Sequence, residues 1–259
     1  LLDYLLIPVT IVVLLLTLAT PLIMFYLFFR LTTEAFMQVG FSHWHALLMV
    51  FGSVTGSVVD IPLHGGTITS YPPFFVGIAT RFSPPGGFSF ATEFHPVTLA
   101  INLGGCIIPV VLSIAILYRC HVSTYRAILG TLIVAIVTYK MAIPMANEGI
   151  LLPVYVSPTL AAICGLALAR KFQAAPALAY ISGTMGTLIG ADIFNLLTPG
   201  VLAQLAPPEV EAPSLTLSIG GAGVIDGIFL TGVIAVLLAA LVVHLTHRGG
   251  MGPAKCADI

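Results

Sequence analysis

The run Ile11-Val12-Val13-Leu14-Leu15-Leu16-Thr17-Leu18-Ala19-Thr20-Pro21-Leu22-Ile23-Met24-Phe25-Tyr26-Leu27-Phe28-Phe29 holds no charged residue and ends at Arg30. As a helix rising 1.5 Å per residue it would be about 28 Å long, close to the ~30 Å hydrocarbon core of a bilayer. It is apolar on every side, so it has no polar face to turn toward water.

The rest of the chain follows suit. Of its 259 residues, 58% are apolar and 7% charged, against about 25% charged in soluble domains. That excludes a single soluble domain. The apolar runs are long and continuous, whereas a transmembrane barrel needs short alternating strands. The expected class is therefore all-α, a polytopic integral membrane helix bundle, solvated by the lipid bilayer. The net charge is −1 and basic clusters are lacking, so no nucleic-acid partner is expected. Membrane-protein partners or a homo-oligomer remain open.

Seven transmembrane helices are expected, at about 5–29, 43–61, 96–118, 127–146, 150–169, 176–197 and 217–245. With those spans, Arg30, Arg119, Arg126, Arg170, Lys171, Arg248 and Lys255 fall on one side. The positive-inside rule then puts the N-terminus outside and the C-terminus in the cytoplasm. The expectation is one transmembrane domain over residues 1–259, multi-pass in a cell membrane of the prokaryotic inner-membrane kind. Two long outer loops, at about 62–95 and 198–216, are rich in Gly and Pro. Within the first, Phe74 to Phe82 reads as a short hairpin strand or an interfacial segment. Cys106, Cys120, Cys164 and Cys256 form no C-x-x-C pair and are expected to be reduced.

Against this apolar background two carboxylates stand out. Asp192 lies in Gly190-Ala191-Asp192-Ile193-Phe194-Asn195, and Asp226 in Gly223-Val224-Ile225-Asp226-Gly227. An aspartate at the centre of a membrane helix costs about 2.5–3.5 kcal/mol on insertion scales, so such residues usually serve a function and face the bundle interior. Counting from the span ends puts Asp192 about 8 Å deep, Asp226 about 13 Å and Lys140 about 9 Å, all from the outer side, with Asn102 at similar depth. Asp192 and Asn195 share a helix face. Asp192, Asp226, Lys140, Asn102 and Asn195 are thus the candidate binding residues of one outer-half site. Gly186 and Gly190 form one G-x-x-x-G, and Gly223 and Gly227 another. Small residues at this spacing let membrane helices meet backbone to backbone, and if these two faces meet, the aspartates approach each other. The segment Ser218 to Gly223 reads as a stretch that could unwind and free its amides beside Asp226.

Three blocks resemble a family: Asn102-Leu103-Gly104-Gly105-Cys106-Ile107-Ile108-Pro109, Gly186-Thr187-Leu188-Ile189-Gly190-Ala191-Asp192, and Gly220 to Gly232. They look like the signature blocks of the uncharacterised membrane family DUF1614, with similarity over most of the chain from the second span onward. The stretch Phe51 to Leu63 resembles a further block, departing from it at Asp60, where the resemblance implies Asn. The family implies no established activity.

Three functions fit the residues. In the first, the buried polar groups bind or transport a proton, cation or small solute, with Lys140 pairing either aspartate. In the second, Asp192 and Asp226 are the catalytic pair of a presenilin-like intramembrane aspartyl protease, one activating water while the other protonates the scissile amide. The motif Pro176-Ala177-Leu178 is similar to the Pro-Ala-Leu of such enzymes, but here it precedes both aspartates. In the third, the chain is a structural or accessory subunit and its charges form ion pairs that fix the helices. No metal or cofactor is expected. His43 and His45 lie two apart, off one helix face, and Asp60, His64 and His95 have no recognised ligand spacing.

Overall fold

The computed structural model describes residues 2–70, 93–145, 149–198, 200–201, 205, 215–221 and 227–246. Asp226, Gly223, Cys256 and the Phe74 to Phe82 segment lie outside them. The described residues are mostly helical. In chain order they form α1 (Leu2–Gln38), α2 (His43–Gly56), strands β1 (Asp60–Ser70) and β2 (Glu93–Asn102), and a π-helical segment (Leu103–Ile107) running into α3 (Ile108–Arg119). Next come α4 (Thr124–Met141), the small strands β3 (Ile143–Met145) and β4 (Gly149–Leu151), and α5 (Val156–Leu168). A 3-10 turn (Phe172–Ala174) leads into α6 (Ala175–Thr187), which continues through a second π-helical segment (Leu188–Phe194) to a last turn (Asn195–Leu197). Strand β5 (Leu215–Ile219) and α7 (Gly227–Thr246) complete the described chain.

Three helices are long and apolar enough to cross a membrane: Thr10–Gln38, Phe172–Leu197 and Gly227–Thr246. Leu103–Arg119 and Val156–Leu168 are apolar but shorter. The outer ends of the second, third and seventh expected spans are therefore not helical. Residues 60–61 belong to β1, 96–102 to β2 and 217–219 to β5. The stretches Pro96 to Ile101 and Leu215 to Ile219 are mostly apolar and abut apolar helices, so hydropathy alone joins strand and helix into one run.

The three strands form a sheet of order β1-β2-β5. β1 pairs antiparallel with β2, Asp60 opposite Asn102, with an irregularity between Pro62 and His64. β5 pairs parallel with β2, Ile101 opposite Ile219. Both ends of the first expected outer loop are thus strands of one hairpin. That hairpin also separates the histidines. His64 pairs with Leu99 and His95 with Ile68, which sets them about 13 Å apart along the strands.

α1 is apolar and largely uncovered over its described length. Leu14, Leu18 and Leu22 are each more than 65% exposed, on a helix apolar all round. Only its last turns enter the bundle, where Phe36 meets the rings of Tyr180 (5.7 Å) and Phe229 (6.0 Å). α6 lies at the centre and is buried along nearly its whole length. Ser113 and Thr184 hydrogen-bond between α3 and α6 at 2.9 Å, deep in the interior.

The glycine faces do not meet as expected. Gly186 and Gly190 face α4: a Cβ on Gly186 would stand 2.7 Å from Val134 Cγ1, and one on Gly190 would strike Thr138 Oγ1 and the Ala135 backbone. Among the described residues nothing stands within 4 Å of a Cβ placed on Gly227. On α7 the close approach falls instead at Gly232, where a Cβ would stand 2.8 Å from the Tyr180 ring. The spacing rule identified a packing face on α6, but spacing carries no information about which helix covers it. The cysteine expectation also needs correction. Cys106 and Cys164 are free thiols, but Cys120 is disulfide-bonded, its partner outside the described residues. Short-range spacing does not bear on a bridge between distant segments.

These contacts predict that Gly190→Ala lowers the thermal stability of the detergent-purified protein, by about 1–3 kcal/mol as an overpacking change. Gly227→Ala, at an open helix start, should change it by less than about 1 kcal/mol. Melting curves of the two variants side by side check this.

Candidate functional site: a polar junction between two π-helical segments

The site is built where the sheet meets the helices. Asn102 ends β2 and is buried at 1% exposure. Its Nδ2 donates to Ser57 O (2.8 Å) and to Asp60 Oδ1 (3.0 Å), and its Oδ1 accepts from Gly105 N (2.9 Å). The last bond caps the first π-helical segment, as Asn does at helix starts generally. Ser53 Oγ donates to Gly104 O at 2.8 Å, and a Cβ on Gly104 would collide with the α2 backbone at Ser53 and Ser57. Glycine is therefore what lets the end of α2 and this π segment touch.

Asp60 Oδ1 also accepts from Ser218 Oγ at the end of β5. Two residues on, the chain turns at Gly220 with φ +78°, a left-handed conformation that favours glycine. A Cβ there would stand 2.6 Å from Cys106 N and 2.7 Å from Gly105 C. The turn is thus pressed against the first π-helical segment. On its other side, Gly220 N donates to Asp192 Oδ2 at 2.7 Å. Asp192 is half-buried and lies in the second π-helical segment. Segments of this kind recur at functional sites because they leave the backbone ladder locally loosened.

Asn195 supports that loosened ladder. It is buried, and its Nδ2 donates to Gly190 O (3.1 Å) and Ala191 O (3.0 Å). Its amide thus serves the backbone that carries Asp192. Lys140 is exposed, its ammonium 5.6 Å from the Tyr139 ring centre. Among the described residues it makes no ion pair with Asp192, and neither Asp60 nor Asp192 has a cationic partner. Of the two aspartates expected as partners of Lys140, Asp192 is instead bonded by the Gly220 amide, and Asp226 lies outside the described residues. Asp192 Oδ1 has no hydrogen-bond partner among the described residues.

Asp192 and Asn102 are thus brought to opposite sides of the Gly220 turn. Asn195 sits one turn beyond Asp192, Lys140 stands apart and Asp226 lies outside the described residues. Sequence reasoning missed Ser218 and Gly220 as site residues, although Ser218 to Gly223 was expected to unwind. It does so over the described part, but the freed amide meets Asp192. Among the described residues no group of three His, Cys, Asp or Glu could hold a metal ion. An apolar groove between α3, α4 and α6 is lined by Leu117, Ile128, Leu132, Ile181 and Met185; neither Asp192 nor Asn102 lines it.

What the fold and site define is a mostly helical protein, with helices long and apolar enough to cross a membrane, in which a short sheet carries a glycine turn onto the Asp192 carboxylate. The chain belongs to the DUF1614 family, described as a protein of unknown function, whose model matches residues 54–238. The match runs from the end of α2 into α7 and contains Asn102, Asp192, Asn195, Ser218 and Gly220, while Ser53 and α1 lie outside it. No curated protein and no solved structure matches the chain.

Asn102→Ala removes three hydrogen bonds and takes the capping acceptor from the buried Gly105 N–H, so it should cost about 1–3 kcal/mol. Thermal unfolding in detergent should show a larger loss for Asn102→Ala than for Lys140→Ala, which removes no hydrogen bond described here.

Proposed function

We propose that the chain is a seven-span membrane protein with its N-terminus outside. In this reading the Asp192 junction, in the outer half of the bilayer, binds or moves a proton, a cation or a small hydrogen-bond-donating solute. One observation carries it: among the described residues, a half-buried carboxylate in an apolar span has one oxygen fixed by a backbone amide, no hydrogen-bond partner on the other and no cation beside it. Such a group gains most from a ligand that donates a proton or brings positive charge. Asp60, held by Asn102 and Ser218 on the sheet side of the turn, adds a second acceptor.

The seven spans correspond to the seven helical rods, the shorter ones completed at their outer ends by non-helical chain. Backbone of that kind is tolerated at membrane depth where protein covers it. For the orientation, Arg126 bonds Leu168 O at 3.1 Å and Arg119 lies 5.2 Å over the Phe41 ring. This gathers the ends of α1, α3 and α5, with Arg170 and Lys171, at the side opposite the junction. Trp44, Tyr118 and Tyr125, each 74% exposed, ring that end as interfacial anchors do. The disulfide at Cys120 pulls the other way, because disulfides persist in oxidising compartments. The basic residues recur at several helix ends and so outweigh it.

The test uses the full chain in proteoliposomes loaded with a pH-sensitive dye, under proton and then sodium or potassium gradients. Wild type should dissipate at least one gradient, Asp192→Asn should lose that flux, and Lys140→Ala should keep most of it. Wild-type flux indistinguishable from empty vesicles under every gradient, or an unimpaired Asp192→Asn, would remove the reading.

A further inference from the structure

Two buried hydroxyls lie outside the junction and are used by nothing described so far. Ser157 on α5 and Thr187 at the end of α6 are 1% and 4% exposed. Neither Ser157 Oγ nor Thr187 Oγ1 has a hydrogen-bond partner among the described residues. Their neighbours behave differently. Ser113, Thr138, Ser182 and Thr184 each donate to the carbonyl four residues back, at 2.8–2.9 Å. That bond is the default for a hydroxyl inside an apolar helix, and Thr187 does not make it.

The two hydroxyls share a place. α5 and α6 meet along small residues: a Cβ on Gly165 would stand 2.7 Å from Ala179 Cβ, and one on Gly183 would stand 3.0 Å from Ala161 Cβ. Residue 165 therefore faces 179, and 161 faces 183. Extended one turn further, the same antiparallel register sets position 157 opposite position 187. The seam reads Ser157-Ala161-Gly165 on one helix and Ala179-Gly183-Thr187 on the other, with both hydroxyls at the same end. Thr187 is also the residue at which α6 gives way to the π-helical segment, five residues before Asp192. In a π-helix that spacing is about one turn, so Thr187 lies directly inward of the carboxylate.

We propose that Ser157 and Thr187 hold one water molecule between their hydroxyls and that this hydrated pair extends the Asp192 site inward. A buried hydroxyl left unpaired is costly, and a water given two or more polar partners removes that cost. Water suits the pair because a hydroxyl both donates and accepts, and neither side chain brings charge. The use of the water rests on Asp192 being the exchanging carboxylate; its presence does not.

The experiment takes Ser157→Ala, Thr187→Val and the double variant in the full chain. A high-resolution structure of wild type should show solvent density within hydrogen-bond distance of both hydroxyls; a dry seam overturns the proposal. Each single variant should lower the melting midpoint by several degrees, and the double should lose clearly less than the sum. Neutral or stabilising singles that add would mean the hydroxyls are merely unsatisfied, and would overturn it as well. In proteoliposomes, Thr187→Val should slow the Asp192-dependent flux several-fold and Thr187→Ser should restore it. If Asp192→Asn abolishes flux while Thr187→Val leaves it unchanged, the inward extension is wrong and the Asp192 reading stands. If Asp192→Asn itself is silent, both the reading and the extension fall, while density and coupled melting still decide whether the water is there.

Discussion

The hydrogen bond from Gly220 N to Asp192 Oδ2 joins the turn after β5 to the second π-helical segment. Gly220 is 28 residues from Asp192 in sequence, and its backbone is pressed on the other side against Gly105 and Cys106. Through this one turn the sheet, the first π-helical segment and the central helix share a corner. Remove the bond and β5 keeps its pairing with β2, but the carboxylate loses its only described hydrogen bond in a place where an unpaired charge is costly. The left-handed backbone at Gly220 has the same origin. It turns the N–H outward from β5 while leaving no room for a Cβ against the segment behind.

The remaining architecture answers the membrane's demand that backbone polar groups be satisfied within the protein. The two π-helical segments break the regular ladder in the region where strands begin to replace helices. Each is tended by an asparagine. Asn102 caps the first through Gly105, and Asn195 bonds the carbonyls of Gly190 and Ala191 in the second. Both side chains are buried, so each amide is committed to structure and is less free to meet a solute. Of the residues described at the junction, Asp192 and the exposed Asp60 keep spare acceptor capacity. Small residues do the rest by letting α6 approach α4, α5 and α7 closely, which is why this helix is covered on nearly every side.

Much of this was legible in the sequence, and the parts that were not share a cause. Composition and run length gave the membrane class, and the cost of an intramembrane charge singled out Asp192. Asn102 was found by depth and proved to border the same turn. The sheet was hidden because hydropathy cannot divide an apolar strand from the apolar helix that follows it. The signal was there in Leu215-Thr216-Leu217-Ser218-Ile219, which alternates with the period of a strand. Pairing β5 with β2 is parallel and spans more than a hundred residues, beyond the reach of local pattern. A pairing of Lys140 with Asp192 is not found among the described residues, for a different reason. Depth along a helix was known, but the direction of the side chain around it was not, and Lys140 points outward while Thr138, two residues earlier, points in.

The account stands on the amide of Gly220 being held by Asp192. Hydrogen–deuterium exchange of the segment 215–221, followed in wild type and in Asp192→Ala in the same lipid or detergent, measures this directly. The predicted result is slow exchange at Gly220 in wild type and markedly faster exchange in the variant, with the amides of β5 that pair with β2 little changed. Equal and fast exchange at Gly220 in both proteins would contradict the account.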